Sequence, residues 1–241
     1  MTQALTPTER PVAETDNVPP LVNGDHLTRE EFHRRYEAMP EVKKAELIEG
    51  VVYMPSPVSL NHSEPHDALA CWRGFYRMRT PGLISGMDST VFLDGINEPQ
   101  PDVALGIPRA AGGQTDITVV KGRRYIGSAP ELCVEVAMST SSIDLNAKLR
   151  SYERNGVQEY VVVLGEPPEV RWMVLENGRF ERIDLDDGLY KSRAFPGLWL
   201  DPAALLAGNL TRLADAVQRG CSEDQRHAAF VEQLGAVEPS G

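Results

Sequence analysis

Residues 131–164, ELCVEVAMSTSSIDLNAKLRSYERNGVQEYVVVL, decide the fold of this chain. The segments 131–137 and 158–164 are short and largely apolar, which is typical of buried strands. Between them, Ser141 and Asp144 have the spacing of a capping box that opens a helix, and Gly156 stands where a helix would end. The stretch therefore predicts a strand, a helix over 141–155 and a second strand.

Hydrophobic spacing and turn residues predict further elements on both sides of this stretch. On the N-terminal side we expect a helix over 29–39, a strand or hairpin over 46–54, a helix over 61–79, strands over 83–93 and 101–105, and a long loop or irregular hairpin over 106–128. On the C-terminal side we expect strands over 169–175 and 179–185, paired across a turn, and a final helix over 202–219. This order predicts an α/β fold in which helices flank a mixed β-sheet, with an additional C-terminal β-hairpin and helix.

A length of 241 residues suits one domain with loose ends. We expect a disordered or loose N-terminal arm over 1–25, a single domain over 26–219 and a frayed tail over 220–241. No apolar run is long enough to cross a bilayer, and the first residues resemble no signal peptide, so we expect a cytoplasmic protein with no membrane partner. Three widely spaced cysteines fit neither a disulfide framework nor a zinc knuckle.

The net charge of −11 first argues against a partner made of phosphates. Most of this charge lies in three segments, since 1–25, 166–188 and 220–241 carry −3, −4 and −3. The remaining residues are nearly neutral. The composition therefore excludes a strongly basic nucleic-acid-binding protein, but it allows a neutral domain with a local basic face.

Two acids stand where a buried strand should be apolar. Asp102 opens the strand Val103–Leu105, and Glu135 lies between Val134 and Val136. A buried carboxylate is costly unless it is paired, protonated or bound to a cation, and two of them on adjacent strands favour a divalent metal. The alternative is that Glu135 faces solvent and Asp102 ends a loop.

Lys148 lies on the helix that follows Glu135. The chain runs forward over four strand residues after Glu135 and folds back over six helical residues before Lys148. The two distances are similar, so Lys148 can lie at the same level of the sheet as Glu135. Asp144, Lys148 and Tyr152 share one face of this helix. For Asp144 we favour an ordinary surface ion pair with Lys148.

Four motifs in this order resemble one known family: 45–50 (AELIEG), 101–103 (PDV), 130–136 (PELCVEV), and Asp144, Lys148 and Tyr152 at four-residue spacing ahead of 156–160 (GVQEY). They are similar to the Uma-two family of restriction-endonuclease domains, within the PD-(D/E)XK nuclease superfamily, over roughly 25–200. The resemblance implies a restriction-endonuclease-like core with a four-stranded mixed sheet, and a phosphodiesterase centre that depends on Mg²⁺ or Mn²⁺.

The resemblance also implies roles for individual residues. Asp102 and Glu135 would be metal ligands, with the Val136 carbonyl as a third. Lys148 would orient or deprotonate the attacking water and stabilise the developing charge. Glu46 would be an additional acid, a role for which Glu49 competes. The lysine usual in the superfamily two residues after the glutamate is replaced by Ala137.

Other polar residues are accessory candidates. His62 and His66 have a spacing that zinc can use, but no third ligand is evident, so we expect a polar role near the site, with His66 and Tyr152 as accessory residues. The best local basic surface, and the candidate for DNA contacts, combines residues of the 61–79 helix with a later loop: Arg73, Arg77, Lys121, Arg123 and Arg124. The alternative for each is a solvated surface position.

Our leading hypothesis is a Mg²⁺-dependent endonuclease that cuts DNA, expected to be double-stranded, as a homodimer without a small-molecule organic cofactor. The first alternative is a catalytically inactive member of the same fold that acts as a binding or regulatory module. The second is a metal-free α/β protein whose acids face solvent.

Overall fold

The computed structural model describes residues 18–54, 59–138 and 140–236. Its α-helices are α1 (Arg29–Glu37), α2 (Leu60–Arg79), α3 (Leu149–Asn155), α4 (Pro202–Leu206), α5 (Leu210–Glu223) and α6 (His227–Gly235). A π-helical turn, Ile143–Lys148, leads directly into α3. Within this part of the chain, no helix combines the length and apolar character needed to cross a membrane.

Twelve strands are present in the described residues. They are β1 (Glu46–Ile48), β2 (Val51–Tyr53), β3 (Ile84–Met87), β4 (Val103–Gly106), β5 (Ile117–Val120), β6 (Arg123–Ile126), β7 (Leu132–Ala137), β8 (Glu159–Gly165), β9 (Pro168–Glu176), β10 (Arg179–Arg182), β11 (Tyr190–Lys191) and β12 (Trp199–Leu200). The strands β1 and β2, β5 and β6, and β11 and β12 form three separate two-stranded sheets.

The central sheet has six strands in the order β10-β9-β8-β7-β4-β3. Of the neighbouring strands in this sheet, only β7 and β8 are parallel. The helical segment between them returns the chain to the end of the sheet at which β7 begins. The other neighbours are antiparallel. Both β7 and β8 are covered on their two faces, which explains why their sequences are apolar apart from Glu135 in β7 and Glu159 at the start of β8. The predicted mixed sheet flanked by helices is confirmed.

Helices cover both faces of this sheet. On one face α2, α4, α5 and α6 enclose the largest core, in which the rings of Trp72 and Trp172 meet edge to face at 6.2 Å. The indole N–H of Trp72 donates to the carbonyl of Trp199, 2.9 Å away. On the other face α3 packs Tyr152 against Cys133 and Tyr160. Because side chains alternate along a strand, Glu135 shares this second face with Cys133.

The two ends of the chain differ from the prediction. The expected frayed tail over 220–241 is wrong for 220–235, where α5 ends and α6 packs Phe230 and Leu234 into the core. These apolar residues are four apart and form one helical stripe. At the other end Leu21 is buried, and the Gly24 N–H donates to the Val52 carbonyl, so the described part of the expected loose arm is attached. Residues 1–17 lie outside the described part.

Two interior predictions also need correction. The helix expected over 202–219 is two helices, α4 and α5, because Gly208 has a positive φ of 63° and Asn209 caps the second helix through the Arg212 N–H. The strand expected over 83–93 is only β3, since Asp88, with a φ of 47°, turns the chain away from the sheet. Within 106–128 the structure forms the hairpin of β5 and β6.

Candidate active site

A cavity of about 1420 Å³ is lined by residues of α2, the β1–β2 hairpin and the end of β7 that carries Glu135. Its walls include the four residues predicted to form the site, which come from four different elements: Glu46 from β1, Asp102 from the start of β4, Glu135 from β7 and Lys148 from the π-helical turn. The Asp102, Glu135 and Lys148 side chains are almost fully buried. The structure therefore brings these four residues together.

Lys148 lies at the centre of three carboxylates. Its Nζ atom is 3.0 Å from Glu135 Oε1, 3.0 Å from Glu46 Oε2 and 3.4 Å from Asp144 Oδ1. Burial disfavours the charged form of Lys148, but the attraction of these acids outweighs it, so the pKa of Lys148 lies well above its usual value. Lys148 is therefore an ammonium ion at neutral pH.

Asp144 is not the surface residue that we expected. Its carboxylate is buried, accepts a hydrogen bond of 2.5 Å from the Thr140 hydroxyl and contacts Lys148. Burial raises its pKa, and the neighbouring Lys148 only partly opposes this effect. The helix begins with a π-helical turn that lines the cavity. The Asp144–Lys148 pair, which would be exposed on an isolated helix, is therefore enclosed.

Asp102 is held in place where the pairing of β4 with β7 ends. The last residue pair is Val103 opposite Val134. The next backbone N–H of β7 that points toward β4 belongs to Val136, and it donates a hydrogen bond of 2.7 Å to Asp102 Oδ2. In an extended strand the N–H and C=O of one residue point to the same side. The Val136 carbonyl is therefore directed to the side of the strand on which Asp102 lies.

Glu135 is the most constrained acid of the site. Its Oε1 accepts a hydrogen bond of 2.9 Å from the Tyr152 hydroxyl and contacts Lys148. Burial raises the pKa of Glu135 well above its usual value; Lys148 lowers it, whereas the neighbouring Asp144 and Glu46 raise it further. Three carboxylates, those of Glu46, Glu135 and Asp144, surround the one ammonium of Lys148, so negative charge is in excess here.

Glu46 and Glu49, the two candidates for the additional acid, occupy different places in the structure. Glu46 Oε1 accepts the Gln100 N–H at 2.7 Å, and its other oxygen contacts Lys148. Glu49 lies at the tip of the β1–β2 hairpin and pairs with Arg150 and Arg154 outside the cavity.

Lys44 and Asp88 are charged residues of the cavity that the sequence did not predict. The Lys44 Nζ atom lies 3.0 Å from Asp88 Oδ1 and 3.2 Å from Asp102 Oδ1, so its ammonium bridges the two acids. The acids raise the pKa of Lys44 despite its burial. A single sequence gives only a weak signal for either residue, since both lie in irregular segments.

His66 also joins this group. Its Nε2 atom lies 3.0 Å from Asp88 Oδ2, and the close carboxylate of Asp88 raises the pKa of His66. One ligand atom each from His66, Asp88 and Asp102 lies within 4.8 Å of the others, which is close enough to hold a metal ion. His66 thus has two potential metal-ligating neighbours that come from segments distant in sequence, whereas His62 is not part of this group.

The predicted DNA contacts do not line this cavity. Arg77 and Arg124 line a second, smaller cavity, and Arg73 lies beside it with its guanidinium bonded to Ser85. Lys121 pairs with Glu37 at 2.9 Å, and Arg123 is exposed on the β5–β6 hairpin.

Comparison with known proteins agrees with this arrangement. The model of the Uma2 family, described as "Putative restriction endonuclease", matches residues 29–203. The chain belongs to the Uma2 family. The predicted resemblance is thus confirmed, and membership of the Uma2 family supports a nuclease function.

A solved structure shows the same fold. The crystal structure of a nuclease from Anabaena variabilis ATCC 29413, titled putative and assigned to DUF820, matches with a TM-score of 0.50 and 13% identity, and the match covers 76% of this chain and 97% of that one. The restriction-endonuclease-like fold is therefore confirmed. Among curated proteins, none matches this chain.

Proposed function

We propose that this Uma2 protein is an endonuclease that hydrolyses DNA phosphodiester bonds with the help of Mg²⁺ or Mn²⁺. The observation that carries the proposal is the meeting of Asp102, Glu135 and Lys148 in one cavity. Hydrolysis of a phosphodiester requires an activated water and stabilisation of added negative charge on phosphorus. Carboxylates suited to a divalent cation, beside one ammonium group, fit both requirements.

The residues present fit a divalent cation. The carboxylates of Glu46, Glu135 and Asp144 all contact the single ammonium of Lys148, and a dication would offset the negative charge that this ammonium leaves uncompensated. Asp102, Glu135 and the Val136 carbonyl would hold it, and such oxygen ligands suit Mg²⁺ and Mn²⁺. When bound, the ion would polarise the phosphate and lower the pKa of a water ligand.

The raised pKa of Lys148 refines the role of this residue. An ammonium ion that keeps its proton cannot act as a base, so Lys148 donates hydrogen bonds to the negative charge that builds up on the phosphate oxygens. Glu46 and Asp144 are positioning residues that hold this ammonium in place. Tyr152 holds Glu135 through the hydrogen bond from its hydroxyl.

Two observations favour the alternative, a catalytically inactive nuclease-fold module for binding or regulation. The superfamily's usual lysine is replaced by Ala137, and the Lys44 ammonium contacts Asp102 where a cation would compete with it. Turnover separates the two functions, because an inactive module binds DNA but does not cut it.

The test is the cleavage of supercoiled plasmid by purified protein with Mg²⁺, with Mn²⁺ or with EDTA. We expect cleavage by the wild type only with a metal, and losses of at least about a hundredfold in Glu135→Gln and Lys148→Met. The control is Glu176→Gln, which removes an exposed carboxylate at the end of β9. Equal cleavage by the wild type and both site variants contradicts the assignment.

The expected homodimer and duplex substrate belong to the same proposal. Two chains related by a twofold axis would present two sites to the two strands of a duplex. Light scattering after size-exclusion chromatography, with and without a DNA duplex, tests the stoichiometry; a strictly monomeric protein that still cuts both strands contradicts the dimer.

A further inference from the structure

A second cavity, of about 530 Å³, lies beside the candidate active site. Its walls are the C-terminal half of α2, the edge strand β3 and the β5–β6 hairpin, and we call it the arginine cleft after Arg77 and Arg124 in its lining. Asp88 lines the active-site cavity, whereas the next residue, Ser89, lines the arginine cleft. The two cavities therefore adjoin across this short segment.

The arginines of the cleft differ from most others in the protein. Most arginines in the described part of the chain pair with a carboxylate, as the salt bridges of Arg150, Arg179 and Arg182 illustrate. Arg77 and Arg124 have no such partner among the described residues, and neither has the nearby Arg73. In a protein of net charge −11, this local excess of positive charge has no structural counter-ion.

Arg73 adds an unsatisfied donor to this region. One of its terminal nitrogens donates to the Ser85 hydroxyl at 2.7 Å, but its buried Nε atom has no hydrogen-bond partner in the described structure. Burial lowers the pKa of Arg73, and the like charge of Arg77, one helical turn away, lowers it further. Arg73 lies beside the cleft, and its hydrogen bond fixes the Ser85 hydroxyl, which belongs to the cleft lining.

Neutral donors complete the cleft. Ser85, Ser89 and Thr90 contribute hydroxyl groups to its walls. Within the described residues β3 pairs only with β4, so alternate backbone N–H groups of β3 point away from the sheet at its open edge. Guanidinium, hydroxyl and backbone N–H groups together are the donors that proteins use to bind phosphate.

We propose that the arginine cleft binds a backbone phosphate of duplex DNA next to the phosphate at the candidate active site. Arg77 and Arg124 would contact the phosphate directly, and Arg73 would hold Ser85 in place. The contact is independent of sequence, since it involves no base edge. Lys121, which is paired with Glu37, takes no part. The inference rests on the proposed nuclease function but requires only binding.

The test compares two double variants with the same change of charge. Arg77→Ala/Arg124→Ala removes the cleft arginines, and Arg179→Ala/Arg182→Ala removes two exposed arginines at the opposite edge of the central sheet. Binding of a short fluorescent DNA duplex to the wild-type parent and to each double variant is measured by anisotropy over a range of salt concentrations, with EDTA in every sample so that the duplex stays intact. Thermal melts verify that each variant folds.

We expect the cleft variant to bind the duplex about tenfold more weakly than its parent, and the control variant to bind like the parent. The slope of log affinity against log salt should fall by about 0.9 for one lost phosphate contact. Equal binding by the two double variants, equal losses in both, or no binding by the parent overturns the proposal. Plasmid cleavage is scored separately, so binding without turnover contradicts the nuclease assignment and leaves the cleft supported.

Discussion

Replacement of Lys148 by methionine tests the electrostatics of the site most directly. The variant keeps a side chain of similar length but leaves Glu46, Glu135 and Asp144 without the ammonium that now lies within 3.4 Å of each. Removal of one partner from a buried ion pair costs about 3–5 kcal/mol. We therefore expect the free energy of unfolding to fall by about this amount at pH 8.

The pH dependence of this loss has a definite sign. The folded-state pKa of Glu135 and Asp144 is already raised by burial, and without Lys148 it would rise further. An acid whose folded pKa is raised destabilises the fold only when the pH exceeds its unfolded pKa of about 4. The loss in Lys148→Met should therefore be largest at pH 8 and should shrink toward pH 5, where the acids bind protons.

Urea unfolding followed by circular dichroism at several pH values measures this loss. The control is Lys121→Met, which breaks the exposed pair with Glu37 and should cost less than about 1 kcal/mol at every pH. A loss below about 1 kcal/mol in Lys148→Met at pH 8, or a loss that does not change with pH, would refute the reasoning.

Three further substitutions probe other parts of the structure. Trp72→Ala should lower the free energy of unfolding by about 3–5 kcal/mol in urea, because it empties the main core and removes the hydrogen bond to the Trp199 carbonyl; a loss below about 1 kcal/mol contradicts this packing. Tyr152→Phe should cost about 1–3 kcal/mol, since Glu135 loses a buried donor, and an unchanged melting temperature counts against that bond. Burial lowers the pKa of His227, so stability should decline as the pH falls below about 6.5, and His227→Gln should flatten this decline; parallel pH profiles of melting temperature would exclude the effect.

The acids of the site could be predicted because they interrupt a pattern. Asp102 and Glu135 stand in segments that are otherwise apolar, and Lys148 follows at a distance set by regular strand and helix geometry. Asp88 interrupts no such pattern. It enters the cavity because the chain turns away from the sheet after β3, at a positive φ that a single sequence does not reveal.

The positions of Lys44 and Asp144 could not be predicted from the sequence either, for two different reasons. Lys44 precedes β1, and its position depends on the pairing of Leu47 with Glu98, a contact between segments distant in sequence. For Asp144 the sequence predicts an ion pair on a solvated helix face. Residue spacing shows which side chains share that face, but it does not show what the face packs against. The surface against which a helix packs is decided by tertiary contacts. The same is true of α6, whose short apolar stripe lies in an acidic segment.

The parallel pairing of β7 with β8 has a consequence for the order of events during synthesis. Parallel strands require a complete crossover before they can pair, and contacts between distant segments form slowly. A nascent chain that has emerged only as far as Glu135 holds Glu46, Asp102 and Glu135 but lacks Asp144 and the Lys148 ammonium. The site can form only after β8 has left the ribosome and docked, so the growing chain would expose no working nuclease.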